Sequence, residues 1–113
     1  MITVILDTNF LLYVARFKVD VDAELSRILN EPFIIAVLDK TFDELAGKKD
    51  AKLAIELAKK YSILRAGQGN VDDLLAEEKD AIIATQDKEL KERLKKKGLK
   101  IVVIRQKSHL ELI

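Results

Sequence analysis

Residues 2–10 read ITVILDTNF, five apolar or β-branched residues that stop abruptly at Asp7. A run without polar alternation is the pattern of a strand covered on both faces. Residues 2–6 therefore predict the central strand of a parallel sheet, with Asp7 at its carboxyl end. Working outward, Phe10 to Ala15 is apolar with helical composition. Asp20, Asp22 and Glu24 then precede Leu25, Ile28 and Leu29, an acidic first turn followed by an i, i+3, i+4 apolar face. Pro32 sets a boundary before a second strand-like run, FIIAVL at 33–38.

Asp39 is read as the N-cap of a helix that turns Phe42, Leu45 and Ala46 inward and ends at Gly47. A further helix is predicted over 50–61, a short strand over 62–64, and a glycine loop over 66–69 leading to Asn70 as the cap of a helix with Leu74 and Leu75. Residues 81–85 (AIIAT) predict another strand, Asp87 caps a helix that buries Leu90 and Leu94 and stops at Gly98, and 99–104 supplies the last strand. Strands alternating with helices argue for β-α-β units. The expected fold is one domain over residues 1–113, a three-layer α/β/α sandwich around a roughly five-stranded parallel sheet wound in both directions from the first strand.

Composition narrows the chemistry. The chain has 113 residues, no Cys and one His, which excludes a disulfide framework, a thiolate zinc site, a cysteine nucleophile and any multi-histidine metal motif. A metal, if one binds, is held by oxygen. No apolar run approaches the ~20 residues that span a bilayer, and Met1 leads straight into the first strand, so the reading is of a cytoplasmic protein without a membrane partner. The net charge of +1 conceals a division: residues 1–87 carry 11 basic and 16 acidic residues, and residues 88–113 carry 9 and 3.

In a sheet of this kind ligands bind beyond the carboxyl ends of the strands. Asp7 follows the first strand, Glu44 lies in the helix after the second, Asp72 and Asp73 open the helix after the glycine loop, and Asp87 follows the strand at 81–85. Each alone has an ordinary role as a cap, a macrodipole partner or a solvated helix residue. Together they bring acid from four segments to one edge. Two carboxylates about 4 Å apart repel by roughly 4 kcal/mol at an effective dielectric near 20, so such a cluster calls for a cation. All-oxygen coordination suits Mg²⁺ or Mn²⁺, ions that most often serve phosphate chemistry.

Asp7-Thr8-Asn9-Phe10 after a strand, Glu44-Leu45 on a helix, Val71-Asp72-Asp73 at a helix start, and Ile83-Ala84-Thr85-Gln86-Asp87-Lys88-Glu89-Leu90 resemble the PIN-domain ribonucleases over nearly the whole chain. The segment ATQDKELKERLKKKGLKIVVIR at 84–105 is most similar to the small PIN proteins related to ribosomal RNA processing nucleases. The resemblance implies a metal-dependent endoribonuclease with one or two Mg²⁺ or Mn²⁺ ions on Asp7, Glu44, Asp72 and Asp87, with Asn9 and Thr85 orienting those carboxylates and Asp73 as the alternative third acid. It implies RNA as substrate, and a second copy of the chain, a ribosome-assembly partner or an antitoxin as protein partners. Only 14 residues separate Asp72 from Asp87, about one helical turn fewer than the family pattern, which displaces the third acid or leaves the site incomplete.

An acidic cup repels a nucleic-acid backbone, so binding calls for basic surface beside it. Lys88, Lys91 and Lys95 are the first candidates, with Lys96, Lys97, Lys100, Arg105 and Lys107 behind them. The competing readings are a toxin-type (VapC-like) ribonuclease of a toxin–antitoxin pair and a catalytically silent RNA-binding or scaffold subunit. A phosphoryl-transfer domain of the receiver or haloacid-dehalogenase kind fits poorly, because the second residue after Asp7 is Asn9 and not an acid. His109 is expected at the surface without a role, and Tyr13 and Phe17 in the core or an interface.

Overall fold

The structure, a computed structural model, describes residues 1–65, 69, 74–75 and 81–113. The first strand, β1 (Ile2–Leu6), lies at the middle of a six-stranded sheet with β2 (Phe33–Leu38), β3 (Ser62–Leu64), β4 (Ala81–Ala84), β5 (Ile101–Arg105) and β6 (His109–Leu112), in the order β3-β2-β1-β4-β5-β6. Strands β1 to β5 run parallel, and β6 pairs antiparallel with β5. This is the α/β sandwich expected from the alternation of strands and helices, with one strand more than the sequence suggested.

Period-two alternation divides each central strand between two helical layers. Val4, Leu6, Ile35, Val37, Ile82, Ala84, Val102 and Ile104 pack on one face, against α1 (Thr8–Arg16), α2 (Val21–Ile28), α3 (Asp39–Ala46) and α4 (Lys52–Ala58). Ile5, Leu38, Ile83, Ile101 and Val103 pack on the other with Leu74, Leu75 and the inner face of α5 (Lys88–Lys96), Leu90 and Leu94. Parallel crossovers are right-handed, so a chain that winds outward from β1 to β3 and then returns to the far side of β1 must change layers. That requirement places α5 opposite α1–α4.

Local signals explain most boundaries. Asp20 accepts from the Ala23 amide at 3.1 Å and caps α2. Gly98, at φ +76°, ends α5 in a Schellman arrangement, the Leu99 amide donating to the Leu94 carbonyl and the Gly98 amide to that of Lys95. Three expectations shift. The N-cap of α3 is Leu38, with Asp39 the first helical residue, and Ala46 is exposed because only Thr41 and Leu45 are fully buried in this short helix. The helix expected over 50–61 is confined to Lys52–Ala58. The expected cap at Asn70 lies outside the described residues. Among the described residues no helix is long and apolar enough to cross a membrane.

Strand β6 is held from outside by α2. The Leu110 amide donates to Glu24 Oε1 at 2.9 Å, and Arg27 donates to the Leu110 carbonyl at 2.7 Å while also bridging Glu24 at 3.1 Å. These side chains take the place of a seventh strand. The Arg27 hydrogen bond, with help from the Leu110 amide, holds the Glu24 carboxyl below its ordinary value of 4.5. A lowered carboxyl contributes stability above the unfolded pKa and loses it as pH falls through the folded one. Glu24→Gln is therefore expected to lower Tm at neutral pH, with the gap to the unaltered protein closing as pH drops below 4.5, as read by thermal melts across a pH series.

Candidate active site

The order of the strands reverses direction between β1 and β4, which makes the gap beyond their carboxyl ends the switch point of the sheet. Leu6 pairs with Ala84 in register, so Asp7 and Thr85 face each other one step further on. The Asp7 amide donates to the Ala84 carbonyl at 2.9 Å, fixing the backbone there. The Asp7 side chain is only 3% exposed. Its Oδ1 accepts from the Thr8 amide at 2.7 Å at the start of α1, and its Oδ2 accepts from the Thr85 hydroxyl at 2.8 Å.

Thr85, fully buried, works in two directions. While donating to Asp7, its Oγ1 accepts from the Asp87 amide at 3.1 Å. Asp87 in turn caps α5, its Oδ1 accepting from the Leu90 amide at 2.7 Å. Between them, Gln86 carries the strand edge forward with its side chain. Its Oε1 accepts from the Ile104 amide at 2.7 Å and its Nε2 donates to the Ile104 carbonyl at 3.5 Å, in place of a further backbone pair with β5. Asp87 is thus free to leave the sheet and begin the helix.

Glu44 approaches from α3 on the β2 side and is exposed. The Thr8 hydroxyl donates to its Oε1 at 2.5 Å, within the range of a charge-assisted O–H···O⁻ bond. Thr8 therefore connects both acids, with its amide on Asp7 and its hydroxyl on Glu44. Sequence reasoning passed over it in favour of Asn9. Asn9 is exposed and lines the cleft without entering these hydrogen bonds. No local signal marks it: Thr8 and Asn9 are both short polar residues in the first turn of α1, and only the position of α3 selects the Thr8 hydroxyl.

Asp7, Thr8, Asn9, Glu44, Gly47 and Lys48 line an open cleft of about 360 Å³. Asp72 and Asp73 lie outside the described residues. Among the described residues no three acids converge closely enough to hold a metal ion, so Asp7, Glu44 and Asp87 are gathered at one edge without forming a closed ligand set. Lys40, on α3, donates to the Gly69 carbonyl at 2.9 Å. Of the basic residues, Lys88 and Lys95 are exposed on α5 and Lys91 is half-buried. Arg105 is ion-paired with Glu111 at 3.1 Å, and the Lys107 ammonium stands 5.3 Å from the centre of the Phe17 ring. Lys100 precedes β5 and lines a cleft at the opposite edge. His109 pairs with Glu111, and Tyr13 is 42% exposed with its ring 5.7 Å from that of Phe17.

A family model described as a PIN like domain matches residues 4–107. Ribonuclease VapC4 of Methanocaldococcus jannaschii is 35% identical over 99% of this chain and 97% of its own length. Ribonuclease VapC9 of Archaeoglobus fulgidus is 31% identical over 86% of this chain and 78% of its own. Among solved structures, the PIN domain endonuclease Utp24 superposes with a TM-score of 0.85 at 26% identity, covering 97% of this chain and 90% of that one.

Thr85→Val removes the hydroxyl from a buried carboxylate and from the Asp87 amide together. Unfolding in denaturant is expected to show a loss of about 1–3 kcal/mol, the cost of unpaired buried polar groups, with Thr85→Ser recovering most of it.

Proposed function

The chain belongs to the PIN-like domain family, and we propose that it is a metal-dependent endoribonuclease whose acids are Asp7, Glu44, Asp87 and one of Asp72 and Asp73. The observation that carries this reading is the Thr85 hydroxyl, which holds the Asp7 carboxylate and the Asp87 amide together at the switch point of the sheet. Carboxylates held this rigidly, in a cleft without His or Cys, have the donor chemistry of a site for Mg²⁺ or Mn²⁺. Because three acids do not converge among the described residues, the ligand set needs the acid from the segment that carries Asp72 and Asp73.

One or two such ions, when bound, supply Lewis acidity for activating a water and neutralising charge on a phosphodiester. The chain's own part is positional. Thr85 and the Thr8 amide fix both oxygens of Asp7, so its carboxylate cannot turn away from the edge. Thr8 steers Glu44 toward Asp7 through Oε1. The Leu90 amide holds Asp87 by one oxygen at the N-terminus of α5. Lys88, Lys91 and Lys95 lie along one side of that helix, spaced to follow a phosphate backbone.

Two biological settings are consistent with such a nuclease, and each has support. The names of both curated relatives favour a toxin-type ribonuclease with an antitoxin as partner. The resemblance of residues 84–105 to small PIN proteins related to ribosomal RNA processing nucleases, together with the basic α5, favours a role in ribosomal RNA processing, and the likeness to the PIN domain endonuclease Utp24 supports an endonuclease. Growth arrest on expression, relieved by a co-expressed small protein that binds the chain, would select the toxin reading. Accumulation of unprocessed ribosomal RNA on deletion, without growth arrest on overexpression, would select the other.

Asp7→Asn is expected to lower Mn²⁺-dependent cleavage of single-stranded RNA by at least a hundredfold and to abolish the rise in Tm that millimolar Mn²⁺ gives the unaltered protein. Its circular dichroism should be unchanged. Metal-dependent cleavage retained in cleanly purified Asp7→Asn would reject the assignment, and no cleavage and no Mn²⁺ stabilisation in the unaltered protein would favour a silent scaffold.

A further inference from the structure

Among the described residues that line the acidic cleft, Lys48 is the one cation. It stands four residues after Glu44, the spacing at which a lysine usually folds back onto a helical glutamate. Here it does not. Helix α3 ends at Ala46 with Gly47 as C-cap, so Lys48 has already left the helix, and among the described residues it has no ion pair. It is exposed and lines the cleft together with Asn9, which is also exposed.

Its place in the layers matters as much as its charge. Lys48 follows α3, in the α1–α4 layer on the β2 side of Asp7, whereas Lys88, Lys91 and Lys95 belong to α5 in the opposite layer, beyond Asp87. The acids therefore have exposed positive charge on both sides, one group from each helical layer. A polyanion can approach a carboxylate-lined edge only where cations offset the repulsion on its path, and a cation on each side defines a direction of travel.

We propose that Lys48 is a substrate-binding residue that takes an RNA phosphate on the α3 side of the acidic edge, so that the strand crosses the sheet edge from the α1–α4 layer to the α5 lysines. The inference rests on the ribonuclease reading and adds to it a direction for the strand and a contact on the side away from the basic terminus.

The test is the salt dependence of binding to a single-stranded RNA oligonucleotide, followed by fluorescence anisotropy with divalent ions chelated, for the unaltered protein, Lys48→Ala, Lys91→Ala and Lys100→Ala. Losing one phosphate contact on a single strand should make the slope of log K against log salt shallower by about 0.7. Lys48→Ala and Lys91→Ala are each expected to show that change, and Lys100→Ala, at the far edge of the sheet, to show none. An unchanged slope in Lys48→Ala while the unaltered protein binds and cleaves RNA overturns the proposal and leaves the nuclease reading standing. Equal losses in Lys48→Ala and Lys100→Ala also overturn it, by reducing the effect to net charge. Failure of the unaltered protein both to bind and to cleave RNA removes both readings.

Discussion

The hydrogen bond from Thr85 to Asp7 joins residues 78 positions apart and holds the molecule's functional edge together. A carboxylate as buried as Asp7 is tolerated only when its oxygens are satisfied by hydrogen bonds. One donor comes from the next residue, at the start of α1, and the other from a different strand altogether. The pairing of β1 with β4 therefore does more than extend the sheet. It brings the Thr85 hydroxyl onto the second oxygen of Asp7, and through the same hydroxyl it fixes where the chain leaves β4 to become a helix.

Sheet order makes that pairing possible. Had β4 been added outside β3, the acids after β1 and β4 would stand three strands apart, some 14 Å at the usual strand spacing of about 4.8 Å. By returning to the open side of β1, the chain places them on neighbouring strands and commits α5 to the opposite layer, with its charged face bordering the edge. The division of charge along the sequence thus becomes a division in space, with acids along the sheet edge and much of the basic surface on the helix beside it.

The central architecture was legible because buried parallel strands announce themselves. ITVIL, FIIAVL and AIIA are short apolar runs bounded by turn signals, the pattern of strands between two helical layers, and their carboxyl-terminal halves are buried. The acids Asp7, Glu44 and Asp87 were legible from their positions after those runs, and their neighbourhood was not. Nothing in the sequence distinguishes Thr8 from Asn9 as the partner of Glu44, because both are short polar residues at a helix start and the choice depends on where α3 lies. Strand β6 was missed for a clear reason. The turn before it passes through Gln106 and Lys107, both at positive φ (53° and 58°), and a tight hairpin turn of that shape is ordinarily signalled by Asn or Gly. A Gln-Lys pair carries no such signal. Lys100 looked like part of the basic surface because it is close in sequence to α5, yet the chain has by then crossed to the other end of the sheet.

The side chains of Glu24 and Arg27 on the outer backbone of Leu110 also bear on how this protein meets its own copies in concentrated solution. Unpaired strand edges are templates on which further chains can assemble. One border of the sheet is occupied at its middle by an ion pair that mimics a neighbouring strand. The other is β3, three residues long, too brief to nucleate an extended ladder, although Ile63 is exposed there. A domain that must present a crowded row of charges at one end of its sheet is thereby protected along both sides from the association that most readily turns a β-rich chain into an aggregate.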